Sequence, residues 1–423
     1  MTRRERVLAA IAHREPDRVP VDLGAMRSTG VTAIAYGRLK RHLGLREGHA
    51  FVYDVVQQLA QPEPEVLEFA GADVVDLGRA WLRDPGEWKD WTLPDGSPAK
   101  IPVYVDFVPD GAGGWLARAA DGAPIGAMPA GAFYLSQSVF PLLDWDGDPT
   151  ALDRLPELMA KVTWSALPTA PFHKPLTPEH LADIRREARE LHETTDYAVM
   201  VGFGGNLLEW GEYLCRFDQF LVDLAENRRK AESLLDKLVE MHLSNLEKVL
   251  DAVEGYVEVV QMGDDLGAQR ATVISPKLYR EVFKPRQKLL FERVRRRRGL
   301  HLFLHSCGSV VDIIPDLIEA GVEILNPVQT SARGMDPAFL KREFGRDLTF
   351  WGGGCDTQHV LPEGTPEEVR RHVSERIASF SPGGGFVFCQ VHNILPNVPP
   401  ENVVAMYDGV RLFRQGRGRP AIT

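Results

Sequence analysis

The stretch LHLFLHSCGSVVDIIPDLIEAGVEILNPVQ, residues 300–329, holds one full repeat of the pattern that runs through this chain. It opens with the apolar run LHLFLH, turns at a polar SCGS and passes through a helical pattern over 309–320. It then returns to a second β-branched run, VEILN at 322–326. Strand, turn, helix and strand within roughly 30 residues is the period of a parallel α/β sheet. The unit extends both ways: VEVVQ at 257–261 precedes it, and LTFWG at 348–352 and FVFCQV at 386–391 follow. Helical patterns cover 276–298, 336–344 and 365–380, the last with Thr365 as N-cap and Pro366 in the first turn, and a final helix starts near 399–401. Upstream, RVPVDLG at 18–24, ADVVDLG at 72–78 and YAVMVGF at 197–203 add three strands to those five. Eight parallel strands with intervening helices predict a TIM-type (β/α)8 barrel. A doubly wound sheet would need a glycine-rich phosphate loop after its first strand. Here that strand ends in Gly24-Ala25-Met26-Arg27, and the glycine runs at 352–354 and 383–385 lack the G-x-G-x-x-G spacing.

Residues 86–170 break the rhythm. They are rich in Gly, Pro, Trp and Asp, with hairpin-like pieces such as WTLPDGS, and read as an antiparallel insertion near the barrel mouth. The region 212–252 is amphipathic and suits a helical cover for the barrel wall. At the start, Thr2 and Glu5 form a capping box ahead of Val7, Leu8 and Ile11. No long linker or low-complexity segment divides the chain, so residues 1–423 read as one domain.

Composition narrows the function classes. In 423 residues, 44% hydrophobic and 26% charged content is globular. Lys plus Arg total 49 against 59 Asp plus Glu, a net charge of −10, which argues against a nucleic-acid binder. The five arginines in 293–298 end a helix, where cations offset the dipole, and no aromatics interleave with them. No apolar stretch reaches the length of a membrane span, and the run 7–12 is too short for a signal peptide. Cys215, Cys307, Cys355 and Cys389 are too few and scattered for a disulfide scaffold. A cytoplasmic protein is expected.

In a TIM barrel, chemistry sits at the downstream ends of the strands. Polar residues collect there: Asp264 and Asp265 after 257–261, His305-Ser306-Cys307 after 300–305, Asn326 and Gln329, Cys355 and Asp356, and His392-Asn393. His305 and Cys307 lie at i and i+2, on one side of an extended backbone, and both are good zinc ligands. The same pair also suits a packed core histidine beside a buried thiol. A third ligand comes from His392, Cys389 or Cys355, with His392 just past its strand and Cys389 out of phase with it. Asp264 and Asp265 are candidates for a general base, or else a helix N-cap and its solvated neighbour. Arg27 is placed to hold a substrate carboxylate or phosphate, or else to form a surface salt bridge, with Asn326, Gln329 and Asn393 as further substrate contacts. Trp88, Trp91 and Trp115 either line a planar cofactor or form local core.

Taken in order, TRRERVLAAIAHREPDRVPVDLG, QMGDDLGAQ, the 300–329 stretch, FWGGGCDTQHVLPEGTPEEVRRHV and GGGFVFCQVHNILPNVPPENVVAMYD resemble the uroporphyrinogen decarboxylase superfamily across nearly the whole chain. The resemblance implies a TIM-like barrel and one of two chemistries. Its decarboxylases use no metal and hold an acidic tetrapyrrole with arginines of a motif similar to M-R-Q-A-G-R-Y. The matching segment here is MRSTGVTAIAY, with Arg27 at the first arginine and the second missing. The other branch, corrinoid-dependent methyltransferases, resembles this chain at His305-x-Cys307. It implies a zinc ion held by His305, Cys307 and a third ligand near the last strand, a cysteine in that branch and His392 here by gap-free matching. The expected activity is then zinc-dependent methyl transfer between a corrinoid (methylcobamide), carried on a partner protein or met as substrate, and a thiol or small methylated compound. Decarboxylation of a tetrapyrrole or other polycarboxylate, and a non-catalytic corrinoid- or porphyrinoid-binding role, are the alternatives. The resemblance also allows a homodimer.

Overall fold

A parallel sheet of seven strands organises the computed structural model, which describes residues 1–45 and 48–414. In chain order the strands are β1 (Val74–Asp76), β2 (Ala198–Gly204), β3 (Val259–Gly263), β4 (His301–His305), β5 (Ile324–Asn326), β6 (Thr349–Trp351) and β7 (Phe386–Val387), each pairing with its sequence neighbour. These are the β-branched runs of the repeat, and the helices between them cover the outer face, as a right-handed βαβ succession requires. The expected first strand at 18–24 is reduced to a parallel bridge between Val21 and Phe388. The Asp22 amide donates to the Phe388 carbonyl at 2.8 Å, and the Asp73 amide donates to the Val21 carbonyl at 2.8 Å. Pro20–Asp22 therefore sit between β7 and the start of β1 and join the two ends of the sheet.

Period-two alternation sends Val74, Met200, Val259, Phe303, Ile324, Trp351 and Val387 into the barrel interior, where each is at most 1% exposed. Val7, Ala10 and Ile11 of the first helix, Arg3–Ile11, plug the upstream end. That helix starts with the expected Thr2–Glu5 capping box. Thr365 and Glu368 form another on Pro366–Phe380.

Two further features depart from expectation. The helical region 212–252 is three helices, Leu208–Cys215, Phe217–Glu226 and Arg228–Val253. The first break falls at Arg216, whose φ of 70° is incompatible with a continuing helix. The insertion also recruits upstream chain. Its hairpin Trp88–Thr92/Pro98–Pro102 joins Ala50–Asp54, Leu59–Ala60 and Val31–Thr32 in one five-stranded sheet, and a second antiparallel sheet spans 106–137. Trp91 packs 4.2 Å from Trp115 and 5.1 Å from Phe107, centroid to centroid. Trp88 and Trp91 are each 7% exposed, so these tryptophans are local core and not a cofactor wall. Among the described residues no helix is long and apolar enough to cross a membrane.

Candidate metal centre at the barrel mouth

The last residue of β4 is His305, two steps beyond the interior-facing Phe303 and therefore on the same side of the strand at its downstream end. Its Nε2 lies 3.4 Å from Cys307 Sγ. The His392 ring approaches from the segment after β7, 6.2 Å from the His305 ring between centroids. One ligand atom from each of His305, Cys307 and His392 falls within 4.8 Å of the others. In a tetrahedral zinc site with bonds of about 2.0–2.3 Å, ligand atoms stand roughly 3.3–3.8 Å apart. A small inward shift suffices to clamp an ion.

The surroundings prepare these atoms. Asn326, fully buried at the end of β5, donates from Nδ2 to the Trp351 carbonyl at 2.7 Å. That fixes its Oδ1 toward His305 Nδ1, 2.6 Å away. An oxygen that only accepts requires the proton on Nδ1, which leaves the Nε2 lone pair facing Cys307. Ser28 Oγ also reaches Nε2, at 3.3 Å. The Cys307 amide donates to Asp265 Oδ1 at 2.8 Å, and that oxygen is 3.6 Å from His305 Nε2, so Asp265 borders the triad. Burial, then the charges of Asp265 and Glu209, push the Cys307 thiol well up. Burial, with His305 adding to it, holds the His392 imidazole down at about 4, so its ring is neutral at physiological pH.

Several expected contacts lie elsewhere. Asp264 is not free for base chemistry. Its carboxylate is 1% exposed and accepts from the amides of Leu207, Leu208 and Glu209 and from Gln287 Nε2 at 3.0–3.2 Å. It tethers the start of helix Leu208–Cys215 to β3. Asn326 orients His305 and does not face a substrate. Gln329 accepts from the Gly308 amide at 2.9 Å and donates to Gln269, which pins the turn carrying Cys307. Cys389 packs in the interior with Phe303 and Trp351, one layer beneath His305. Cys355 is buried beside the Asp356 carbonyl. Neither joins the triad. Asn393 is 1% exposed and donates to Gln57 at 2.6 Å, while its Oδ1 has no partner.

Arg27 follows the bridge strand. It pairs with Asp54 at 3.1 Å, donates to Thr169 Oγ1 at 3.0 Å and lies over the Trp164 ring at 5.1 Å. About a third of its side chain (34%) remains exposed. Its neighbour Ser28 touches His305, which puts Arg27 at the rim of the same cleft. Sequence reasoning missed Glu209 and Glu212, which lie after β2 at i and i+3 on one helix face. The signal was present, since both follow the downstream end of a barrel strand. Glu209 accepts from Tyr213 Oη at 2.7 Å and from the Asp265 amide at 3.2 Å, and burial and Asp265 raise its carboxyl. Burial and the charges of Glu209, Asp264 and Asp265 push Glu212 up to about 8. Tyr134 of the insertion stands beside Asn393, a neighbour with no signal in the sequence. A cavity of about 330 Å³ opens among Glu15, Arg18, Glu68 and Arg411 near the first helix, at the opposite end, where barrel residues serve stability.

The Asn326 bridge is testable by itself. Asn326→Leu leaves the His305 Nδ1–H and the Trp351 carbonyl buried without partners and should destabilise the fold by about 2–4 kcal/mol in chemical denaturation. Asn326→Asp keeps the acceptor for His305 and should recover part of that loss. Equal losses in the two variants would exclude the bridge.

Residues 154–413 match the family model described as uroporphyrinogen decarboxylase (URO-D). The uroporphyrinogen decarboxylase of Magnetococcus marinus is 25% identical over 192 residues, 42% of this chain and 50% of its own. That of Legionella pneumophila is 24% identical over 246 residues, 56% of this chain and 65% of its own. The chain thus aligns with 50–65% of the length of these relatives. A solved methyltransferase from Methanosarcina mazei superposes with a TM-score of 0.51 over 98% of this chain and 99% of its own, at 18% identity, a likeness of fold.

Proposed function

The chain belongs to the uroporphyrinogen decarboxylase family, and on that premise we propose that it is a zinc-dependent methyltransferase moving a methyl group between a corrinoid and a thiol or small methylated compound. The observation that carries this reading is the convergence of His305, Cys307 and His392 at the barrel mouth. The donors suit zinc: two imidazoles and one thiol, with Asn326 holding one ring in the ligating tautomer. Three protein ligands leave a fourth position for a substrate. Zinc, when bound, supplies a Lewis acid that keeps a substrate thiol as thiolate at neutral pH. Asp265 braces the Cys307 backbone, Ser28 and Asn326 fix His305, and Arg27 offers a cation to an anionic group of the substrate. Val103, Tyr104 and Phe133 of the insertion are 50%, 40% and 44% exposed, and such exposed apolar side chains suit contact with the flat corrinoid of a partner protein.

The named relatives favour a second reading, decarboxylation of a tetrapyrrole. The cleft suits a polyacid poorly. Glu209, Glu212 and Asp265 stand there, and of the two arginines of the decarboxylase motif the matching segment MRSTGVTAIAY keeps Arg27 alone.

Metal analysis of the purified protein, with assay of methyl transfer from methylcobamide to a thiol, tests the proposal. Absence of zinc together with loss of carbon dioxide from a porphyrinogen would replace it. The raised Cys307 thiol adds a pH signature. Below the thiol pKa, each zinc bound displaces the Cys307 proton, so Kd should fall about tenfold per pH unit between pH 6 and 8 from this group. His392 is already neutral there and adds no slope. Chelator competition measures it, and a flat profile would exclude Cys307 as a ligand.

A further inference from the structure

A chain of contacts connects Arg27 to the triad, and its charge is polarised along its length. At one end the Arg27 guanidinium lies 5.1 Å over the Trp164 ring. The Trp164 ring is 6.2 Å from that of Tyr213, and the Tyr213 hydroxyl donates to Glu209 at 2.7 Å. Glu209 accepts the Asp265 amide, and Asp265 reaches to 3.6 Å from His305. Glu212 stands one turn beyond Glu209, half-buried, and makes no hydrogen bond or ion pair among the described residues. The buried Asn393 Oδ1, also unpartnered, lies in the residue after His392. A guanidinium thus marks one end, while half-buried aromatic faces, three carboxylates and a spare carbonyl oxygen mark the metal end.

A neutral methyl ether or thioether makes no use of three carboxylates. A primary ammonium would satisfy them with N–H donors and has little need of aromatic faces. A methylated onium centre spreads its charge over methyl groups, donates no hydrogen bond and gains from ring faces and nearby carboxylates together. We propose that the methylated substrate of this site is a trimethylammonium carboxylate, a betaine-type zwitterion, with its carboxylate at Arg27 and its onium head between Trp164, Tyr213 and the Glu209–Glu212 face. The assignment rests on the methyl-transfer reading and names its substrate class. One N-methyl would pass to a cob(I)amide, whose electron pair would form the cobalt–carbon bond, while the C–N pair stays on nitrogen and leaves a dimethylamino carboxylate. The insertion supplies Thr169, which accepts from Arg27 at the carboxylate end, and Trp164, whose ring lies between Arg27 and Tyr213.

The test compares glycine betaine and 4-(trimethylammonio)butanoate with 3,3-dimethylbutanoate, the uncharged-head isostere of the first. Binding to the purified full-length protein is measured by calorimetry at pH 8.5, where Glu212 is mostly ionised. At least one betaine should bind about 10-fold or more tighter than the isostere, as a desolvated cation on aromatic faces predicts. Glu212→Gln should erase most of that preference while leaving isostere binding unchanged. Arg27→Met should weaken betaine and isostere alike. Zinc content and thiol methylation are measured on the same samples. Equal binding of isostere and betaines, or no binding of either, by protein that carries zinc and methylates a thiol overturns the substrate class alone. Loss of zinc and of thiol methylation in wild type overturns the functional reading, whatever the ligand preference.

Discussion

Cys307→Ser should reduce bound zinc from about one ion per chain to a trace and weaken zinc affinity by more than about 100-fold, with thiol methylation lost in step. The serine hydroxyl is a far poorer ligand than a thiolate, while the change removes little volume from a half-buried position. Stability of the metal-free protein should therefore stay within about 1 kcal/mol of wild type. Two companions separate the triad from a general effect of thiol loss. His392→Ala should lose zinc as Cys307→Ser does, because its ring closes the triad. Cys389→Ser should keep zinc, because that thiol lies a layer lower among Phe303 and Trp351. Zinc lost from Cys389→Ser and kept in His392→Ala would reverse the ligand assignment.

The second large effect is expected at Gly308. Its φ is +82°, and an added Cβ would sit 2.4 Å from the backbone carbon and oxygen of Gly267. Gly267 is equally tight, with a Cβ there 2.4 Å from the Cys307 carbonyl oxygen. The turns after β3 and β4 thus interlock backbone to backbone, with the Ser309 amide donating to the Ala268 carbonyl at 2.8 Å. Gly308→Ala adds the cost of a left-handed alanine, about 1 kcal/mol, to a clash that only backbone movement relieves. A total loss of about 3 kcal/mol or more is expected, together with displaced Cys307 and weaker zinc binding. Gly96→Ala is the control: its φ is +81°, but nothing lies within 4 Å of the added atom. It should cost about 1 kcal/mol only. Equal losses at the two positions in chemical denaturation would show that the interlock contributes nothing.

The legible parts of the fold were those written in local periodicity. The runs at 257–261, 300–305, 322–326 and 348–352 became β3 to β6, because a strand buried on both faces must be apolar throughout. The strand at 50–54 escaped notice because AFVYD is too short to stand out, and its partners at 98–102 lie far along the chain. In the site, the i and i+2 spacing of His305 and Cys307 could be read directly, since strand geometry alone puts both side chains together. The roles of Asp264 and Asn326 could not. Position at a strand's downstream end does not distinguish a side chain facing the cleft from one facing a neighbouring amide or imidazole. Glu209 and Glu212 needed only the same rule applied to the strand at 197–203.

The short bridge at Val21 has a consequence for motion. β2 to β6 are each held on both sides by ladders of two to five residue pairs. The junction between β7 and β1 rests on one bridge, and the Val21 amide there is held by the Asp73 carboxylate at 2.9 Å, itself gripped by Arg6 and Arg18. This is a seam of few backbone bonds reinforced by charge, where the rest of the wall is stitched by longer ladders. Native-state hydrogen exchange should find it first: the amides of Val21, Asp22 and Phe388 should exchange through a local opening of lower free energy than those of β3 and β4. Such an opening would unzip the cylinder along the side opposite Cys307, with the turns after β3 and β4 still locked together.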